Sequence, residues 1–407
     1  MKRSKTGTMV KVTGMTSALL LLSSAFVGPG AAGLAAGVAS AATLGCGETI
    51  SHSTVLTHDV GPCPPDTVGI TVTGRATVLD LGGHRVFGSG TGDQGLAIGI
   101  LLQRTHGAKV TRGSVDSFDA GVVVNGGEGN AVTNLDVHDN IGPSGGNDNN
   151  LLQYGDGILV IGSNDNRVSN NLVDHNGPLD GVGIIGLVTR PDGSDAVVTG
   201  ASRNRIINNQ ILDNNTPDLC PADGASQDPP CVPGTPVFQE DMGIRLEGPS
   251  ATYNLVVANM VQGNGVNGVL VDSVCVRQGN GSGNCDQTGA NADNLIVGNT
   301  SKDNGFGIGG PPGGFGIRFV TFNGPAGQVN PHNNTVLGNT VTGNAIGGIA
   351  VGKNSTDNRI IGNLAINNDV KMSPRGADLV DSNLIPPCDN NVWQGNRFGT
   401  ANQSCIH

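Results

Sequence analysis

An eleven-residue unit recurs along the chain: Asn, any residue, Val or Ile, any residue, Asn/Gly/Ala, Asn, any residue, an apolar residue, two of any kind, Asn. One full copy reads Asn166-Arg-Val168-Ser-Asn170-Asn171-Leu-Val173-Asp-His-Asn176. The unit returns at Asn204 to Asn214, Asn254 to Asn264, Asn294 to Asn304, Asn334 to Asn344 and Asn358 to Asn368, with looser copies from Asn130 and Asn391. Self-similarity of this kind specifies a stack of like units before any single residue specifies a chemistry. A chain of 407 residues otherwise suggests two or three domains, and a repeat array overrides that expectation.

Short runs of alternating apolar residues precede most units: Gly157 to Ile161, Gly243 to Glu247, Gly268 to Asp272, Gly316 to Val320 and Gly348 to Val351. A period of two means strand. Each rung therefore offers two or three short strands joined by Gly/Asn turns, and stacked rungs form parallel sheets, about ten rungs in all. The sixth-position asparagines (Asn171, Asn209, Asn259, Asn299, Asn339, Asn363, Asn396) are expected to stack amide on amide and to tolerate a left-handed turn. The third-position residues (Val168, Ile206, Val256, Ile296, Val336, Ile360, Val392) are expected to point inward. With 66 Gly and 3% aromatics an ordinary globular core is excluded, and the regular Val, Ile and Leu spacing argues against disorder.

The N-terminus reads as a secretory signal over residues 1–41. Lys2, Arg3, Lys5 and Lys11 supply a positive region, Ala18 to Val27 is apolar, and Ala39-Ser40-Ala41 suits cleavage. Gly28-Pro29-Gly30 interrupts the apolar run well short of the ~20 residues of a membrane span. The net charge is −11, and removing residues 1–41 takes four positive charges and no acid. Such a surface repels nucleic acid and anionic lipid, so neither nucleic acid nor membrane is expected as a partner. All eight cysteines follow the cleavage site, in local couples: Cys46 with Cys63, Cys220 with Cys231, Cys275 with Cys285, Cys388 with Cys405. An even count in an exported chain without CxxC favours disulfides over metal.

The opening Cys46-Gly-Glu-Thr-Ile, Gly61-Pro-Cys63-Pro and Leu79-Asp80-Leu81-Gly-Gly-His84, with the closing Cys388-Asp-Asn-Asn-Val-Trp393-Gln-Gly-Asn396-Arg-Phe398-Gly, resembles the right-handed parallel β-helix family with pectate-lyase-like repeats. The resemblance covers residues 46–405. It implies an all-β, single-domain solenoid over 42–407, with an N-terminal cap at 46–67 and a C-terminal cap at 388–407. It also implies a sugar polymer as substrate, because such polymers are what this fold typically handles.

Aligning each strand from its leading Gly sorts side chains into outward rows. The second residues are Leu159, Ile185, Arg245, Leu270, Arg318 and Ala350; the fourth are Ile161, Leu187, Glu247, Asp272, Val320 and Gly352. Glu247 and Asp272, one rung apart, repel unless a cation or an arginine lies between them. Asp156, Asp180, Glu240 and Asp241 precede this face. Insertions at 216–240, 273–293 and 306–314 surround it, as loops that build a groove do. A lyase or epimerase on uronate polymers would use Asp241, Glu247 and Asp272 to hold Ca²⁺, with Arg245 or Arg318 at the substrate and Asp180, Glu247 and Asp272 lining it. A hydrolase would pair Asp156 with Asp241. Tyr154-Gly-Asp156-Gly is similar to a fragment of the epimerase motif, whereas Trp-x-Asp-His, Asn-Thr-Asp with Gly-His-Gly, and Asp-Pro-His are absent. The alternative is a noncatalytic surface protein that binds glycan. On another face His138-Asp139, Asp174-His175 and Asp213 fall at matching turns, as a metal or proton-relay row or as a solvated polar turn.

Overall fold

The structure is a computed structural model. It describes residues 40–407 except 91–96, 143–154, 190–196, 217, 220–235, 239–240, 249, 274–275, 278–284, 287–290, 308–312, 321–329, 374–375 and 384–387. Every element among the described residues is a strand or turn. The strands stack in parallel. Eleven form one continuous sheet from Glu48–Ile50 to Ala377–Asp381, called the long sheet below, and twenty-one others form a second sheet around the remaining sides of each rung. Eleven strands at about 4.8 Å spacing make a stack about 50 Å long.

The third-position residues point inward as expected, from Val168 and Ile206 to Ile360, all at 1% exposure or less. The last repeat is a correction. Trp393, not Val392, pairs with Ile360 and enters the core, and Val392 is 42% exposed. The Asn390-Asn391 doublet offers two starts for that repeat, and a slip of one residue exchanges the faces of a strand.

The sixth-position amides form a ladder. Nδ2 of Asn171 donates to Oδ1 of Asn209 at 3.0 Å, and the same bond links Asn209 to Asn259, Asn259 to Asn299, Asn299 to Asn339, Asn339 to Asn363 and Asn363 to Asn396. Two further ladders stand at the other corners. One runs through Asn166, Asn204, Asn254, Asn294, Asn334, Asn358 and Asn391. The other runs from Asn140 through Asn176, Asn214, Asn264, Asn304 and Asn344 to Asn368. The left-handed residue is the one before the ladder asparagine: Asn170, Asn208, Ala258, Gly298, Gly338, Gly362 and Gly395 all have positive φ. That turn aims the next side chain across the corner.

Cys46–Cys63 and Cys388–Cys405 are disulfides. The couples Cys220/Cys231 and Cys275/Cys285 each include residues outside those described. The segments 46–67 and 388–407, expected as caps, themselves contribute strands to the first and last rungs. Ser40–Ala42 pairs with Thr54–Leu56, so the first strand spans the expected cleavage point.

Candidate functional site

The long sheet carries the candidate face. Its register places Leu159, Gly183, Arg245, Leu270, Arg318 and Ala350 in one outward row, and Ile161, Ile185, Glu247, Asp272 and Val320 in the next. Gly183 and Ile185 therefore stand where the alignment from leading glycines put Ile185 and Leu187. Leu187 has left the stack and starts an antiparallel hairpin with Val197–Thr199. Further hairpins, Asp218–Leu219 with Pro236–Phe238 and Val276–Arg277 with Cys285–Asp286, lie within two of the expected insertions.

Gly183 matters because it has no side chain. A Cβ there would meet Asp156 Oδ1 at 3.1 Å, Leu159 at 3.1 Å and Asp180 Oδ2 at 3.3 Å. Those contacts are tighter than a Cβ ordinarily makes, so the place a side chain would take is already filled by Leu159 and the two carboxylates. Asp156 and Asp180 are 1% and 0% exposed. Burial pushes the Asp156 carboxyl up to about 7, aided by the charge of Glu247, while the charge of Arg245 and the Asp180 backbone amide draw it down. A carboxyl group with that pKa both gives and takes a proton near neutral pH.

Beside Gly183, one rung further on, Arg245 lies between two acids. Its Nε is 2.8 Å from Glu247 Oε2, and one terminal nitrogen is 3.7 Å from Asp272 Oδ2. The repulsion expected between Glu247 and Asp272 is thus relieved by an arginine. Among the described residues no group of three His, Cys, Asp or Glu side chains is arranged to hold a metal ion. Arg245 thus supplies the positive charge between Glu247 and Asp272, one of the two arrangements that their charges allowed. Asp241 is placed beside Gly177, whose Cβ position is 3.1 Å from Asp241 Oδ1. Arg318 stands two rungs beyond Arg245, with its guanidinium 5.2 Å from the centre of the Phe315 ring. Burial lowers its pKa, against the charge of Asp272. Apolar clusters flank this polar centre: Ala120, Val123, Leu159, Ile161 and Ile185 on one side, Phe315, Ala350, Ala377 and Val380 on the other.

The histidine row is local. His138 Nδ1 lies 2.9 Å from Asp139 and His175 Nδ1 2.9 Å from Asp174, each pair adjacent in sequence. Burial disfavours the charged His138 ring, but the bond to Asp139 and the charges of Asp116 and Asp136 outweigh it and raise its pKa. The arrangement is that of a polar turn, not of a metal centre.

A stacked parallel solenoid with a buried acid–arginine cluster on its eleven-stranded sheet is the class that fold and site define. The chain belongs to the right-handed β-helix family, whose model, described as a right handed beta helix region, matches residues 98–365. No curated protein matches the sequence. Among solved structures, a double mutant of the periplasmic alginate epimerase AlgG shares the fold at 12% identity and a TM-score of 0.52, over 87% of this chain and 70% of that one. The Dettilon tailspike protein is similar at 15% identity and a TM-score of 0.48, over 90% of this chain. This chain spans 59% of the tailspike's length. The A-module of the Azotobacter vinelandii mannuronan C-5 epimerase AlgE4 is similar at 11% identity and a TM-score of 0.42, over 88% and 86% of the two chains.

Proposed function

We propose that the chain is an extracellular, carbohydrate-active β-helix protein that cleaves a polysaccharide, with Asp156 as the proton-transfer group. The observation that carries this reading is the pair of buried carboxyl groups packed about Gly183, Asp156 and Asp180, of which Asp156 keeps its proton to about pH 7. A buried carboxyl group that keeps its proton to about pH 7, with a second carboxyl group beside it, is the equipment of acid–base chemistry on a glycosidic bond. Asp156 in its acid form would protonate the leaving oxygen. Asp180 would act as the base toward water or as the nucleophile. Elimination or epimerisation at a uronate is less well served, because it needs a cation facing the substrate carboxylate. Arg245 is already matched by Glu247 and Asp272. The shared fold with an alginate epimerase supports a glycan as partner and leaves the reaction to be decided by the site. The signal-like N-terminus and the two disulfides support an extracellular setting.

A second reading is favoured by burial. Asp156, Asp180 and Asp272 are at most 1% exposed, as members of a structural network would be, and a noncatalytic glycan-binding rod would need no more. A panel of acidic and neutral polysaccharides separates the two. The expected result is new reducing ends without unsaturated-product absorbance. Absorbance from unsaturated products would replace hydrolysis by elimination, and binding without any product across the panel would establish the second reading.

A further inference from the structure

Next to Arg318 the outer face of the long sheet contains a hollow of about 170 Å³. Phe315, Ala350 and Val380 give it apolar walls, Arg318 a cation, and Ser373 and Ser382 hydroxyls. The register fixes its place. Ala350 and Val380 follow Arg318 in the same outward row, and Arg318 follows Arg245 by two rungs, about 10 Å at the usual strand spacing. The hollow is therefore on the same face as Gly183, Asp156 and Asp180 but is not lined by them.

Its chemistry is selective. A guanidinium held over an aromatic ring, within apolar walls, is poorly hydrated, so an anion reaching it meets a stronger field than at the open surface. Burial already works against the charge of Arg318, with Asp272 as the counter-charge one rung earlier in the neighbouring row. Planar, forked donors suit a carboxylate or a sulfate. Apolar walls suit the C–H faces of a sugar ring, and serine hydroxyls suit its hydroxyl groups. A hollow of that size suits one small ring rather than an oligomer. A neutral glycan has no group that makes use of the half-buried cation.

We infer that this hollow is a subsite for the acidic substituent of a single sugar residue, held by Arg318, in a polymer whose reacting bond lies at Asp156 and Asp180. The inference rests on the proposed polysaccharide activity for its second half only. It makes the substrate an acidic polysaccharide and gives the chain a hold on it remote from the bond broken, which fixes register along the rod.

The test uses the full chain and sodium glucuronate, with glucose as control, followed by calorimetry or saturation-transfer NMR. Glucuronate is expected to bind and glucose not. Arg318→Gln is expected to weaken glucuronate binding more than tenfold, and Arg318→Lys to restore part of it. Ser382 is exposed at the rim, so Ser382→Trp is expected to block binding with the fold kept even if the arginine variants fail to fold. Asp156→Asn should leave glucuronate binding unchanged. Equal binding of glucose and glucuronate, or glucuronate binding that survives both Arg318→Gln and Ser382→Trp, overturns the subsite. Failure of the catalytic reading is seen separately, as intact Arg318-dependent binding with no turnover of any polymer.

Discussion

At the scale of single residues, the account turns on Asp156. The folded chain keeps its proton to about pH 7, whereas the ordinary value, and so that of the unfolded chain, is 3.8. Between those values the folded state binds more protons than the unfolded one, so this group makes stability fall as pH rises from about 4 to about 7. Asn has no proton to lose. The stability of Asp156→Asn relative to the parent chain should therefore grow across that window, reaching on the order of a few kcal/mol by pH 8. Denaturant titrations at pH 5 and pH 8 measure it, and a difference that does not change with pH contradicts the buried, protonated state. Asp156, Asp180, Arg245, Glu247, Asp272 and Arg318 were legible in the sequence because the repeat supplied a register. Gly183 was not. Gly181-Val-Gly183 offers two starts for one strand, and a slip of two residues keeps every side chain on its own face. Periodicity is blind to that slip, so the glycine about which Asp156 and Asp180 pack had no signal of its own. Arg245 as the neutraliser of Glu247 and Asp272 was one of two choices the charges allowed, and only geometry separates an arginine from an ion.

At the scale of elements, the repeat unit explains itself as three corners, each made of a left-handed residue followed by an inward asparagine. One ladder was legible in the sixth position. The other two begin and end the same unit and are equally regular. Asn259 shows what a ladder member holds. Its Oδ1 accepts from the backbone N and Nδ2 of Asn209, and its Nδ2 donates to the Ile206 carbonyl and to Asn299 Oδ1. Asn259→Ala strands several of these buried groups and should cost about 2–4 kcal/mol in denaturant unfolding; a loss within the error of the fit would refute the ladder's role. Gly298 has φ +62°, and a Cβ added there would meet nothing within 4 Å. Gly298→Ala should then cost about 1 kcal/mol from backbone conformation alone, and Gly298→Asn much less, since Asn170 and Asn208 occupy the same position. Two ladders end on acids. Asn368 donates to Asp378 and Asn391 to Asp381, which also accepts from the buried Trp393 indole. Nothing in the repeat announces Asp378 and Asp381, because they fall where it stops.

At the scale of the molecule, a rod built from identical rungs is weakest at its ends, where a rung has one neighbour instead of two. The Cys388–Cys405 bridge spans 17 residues around the last rung, close to Trp393 and Ile406 in the core. Replacing both cysteines by serine should lower stability by about 3 kcal/mol, with the first loss of amide-exchange protection in Val392–Gln394 and Arg397–Phe398. Uniform loss along the rod would mean the end is not the weak point. The same uniformity makes the broken places informative: the repeat builds the scaffold, and the polar cluster sits where Gly183, Arg245 and Glu247 replace the apolar pattern. Whether that cluster does chemistry is decided most directly by the rate–pH profile of acidic-polysaccharide cleavage, measured for the parent chain and for Asp156→Asn. The account predicts a parent rate controlled by a group near pH 7 and a loss of about 10²- to 10⁴-fold in the variant, with folding intact. An Asp156→Asn protein that cleaves the polymer at the parent rate would contradict it.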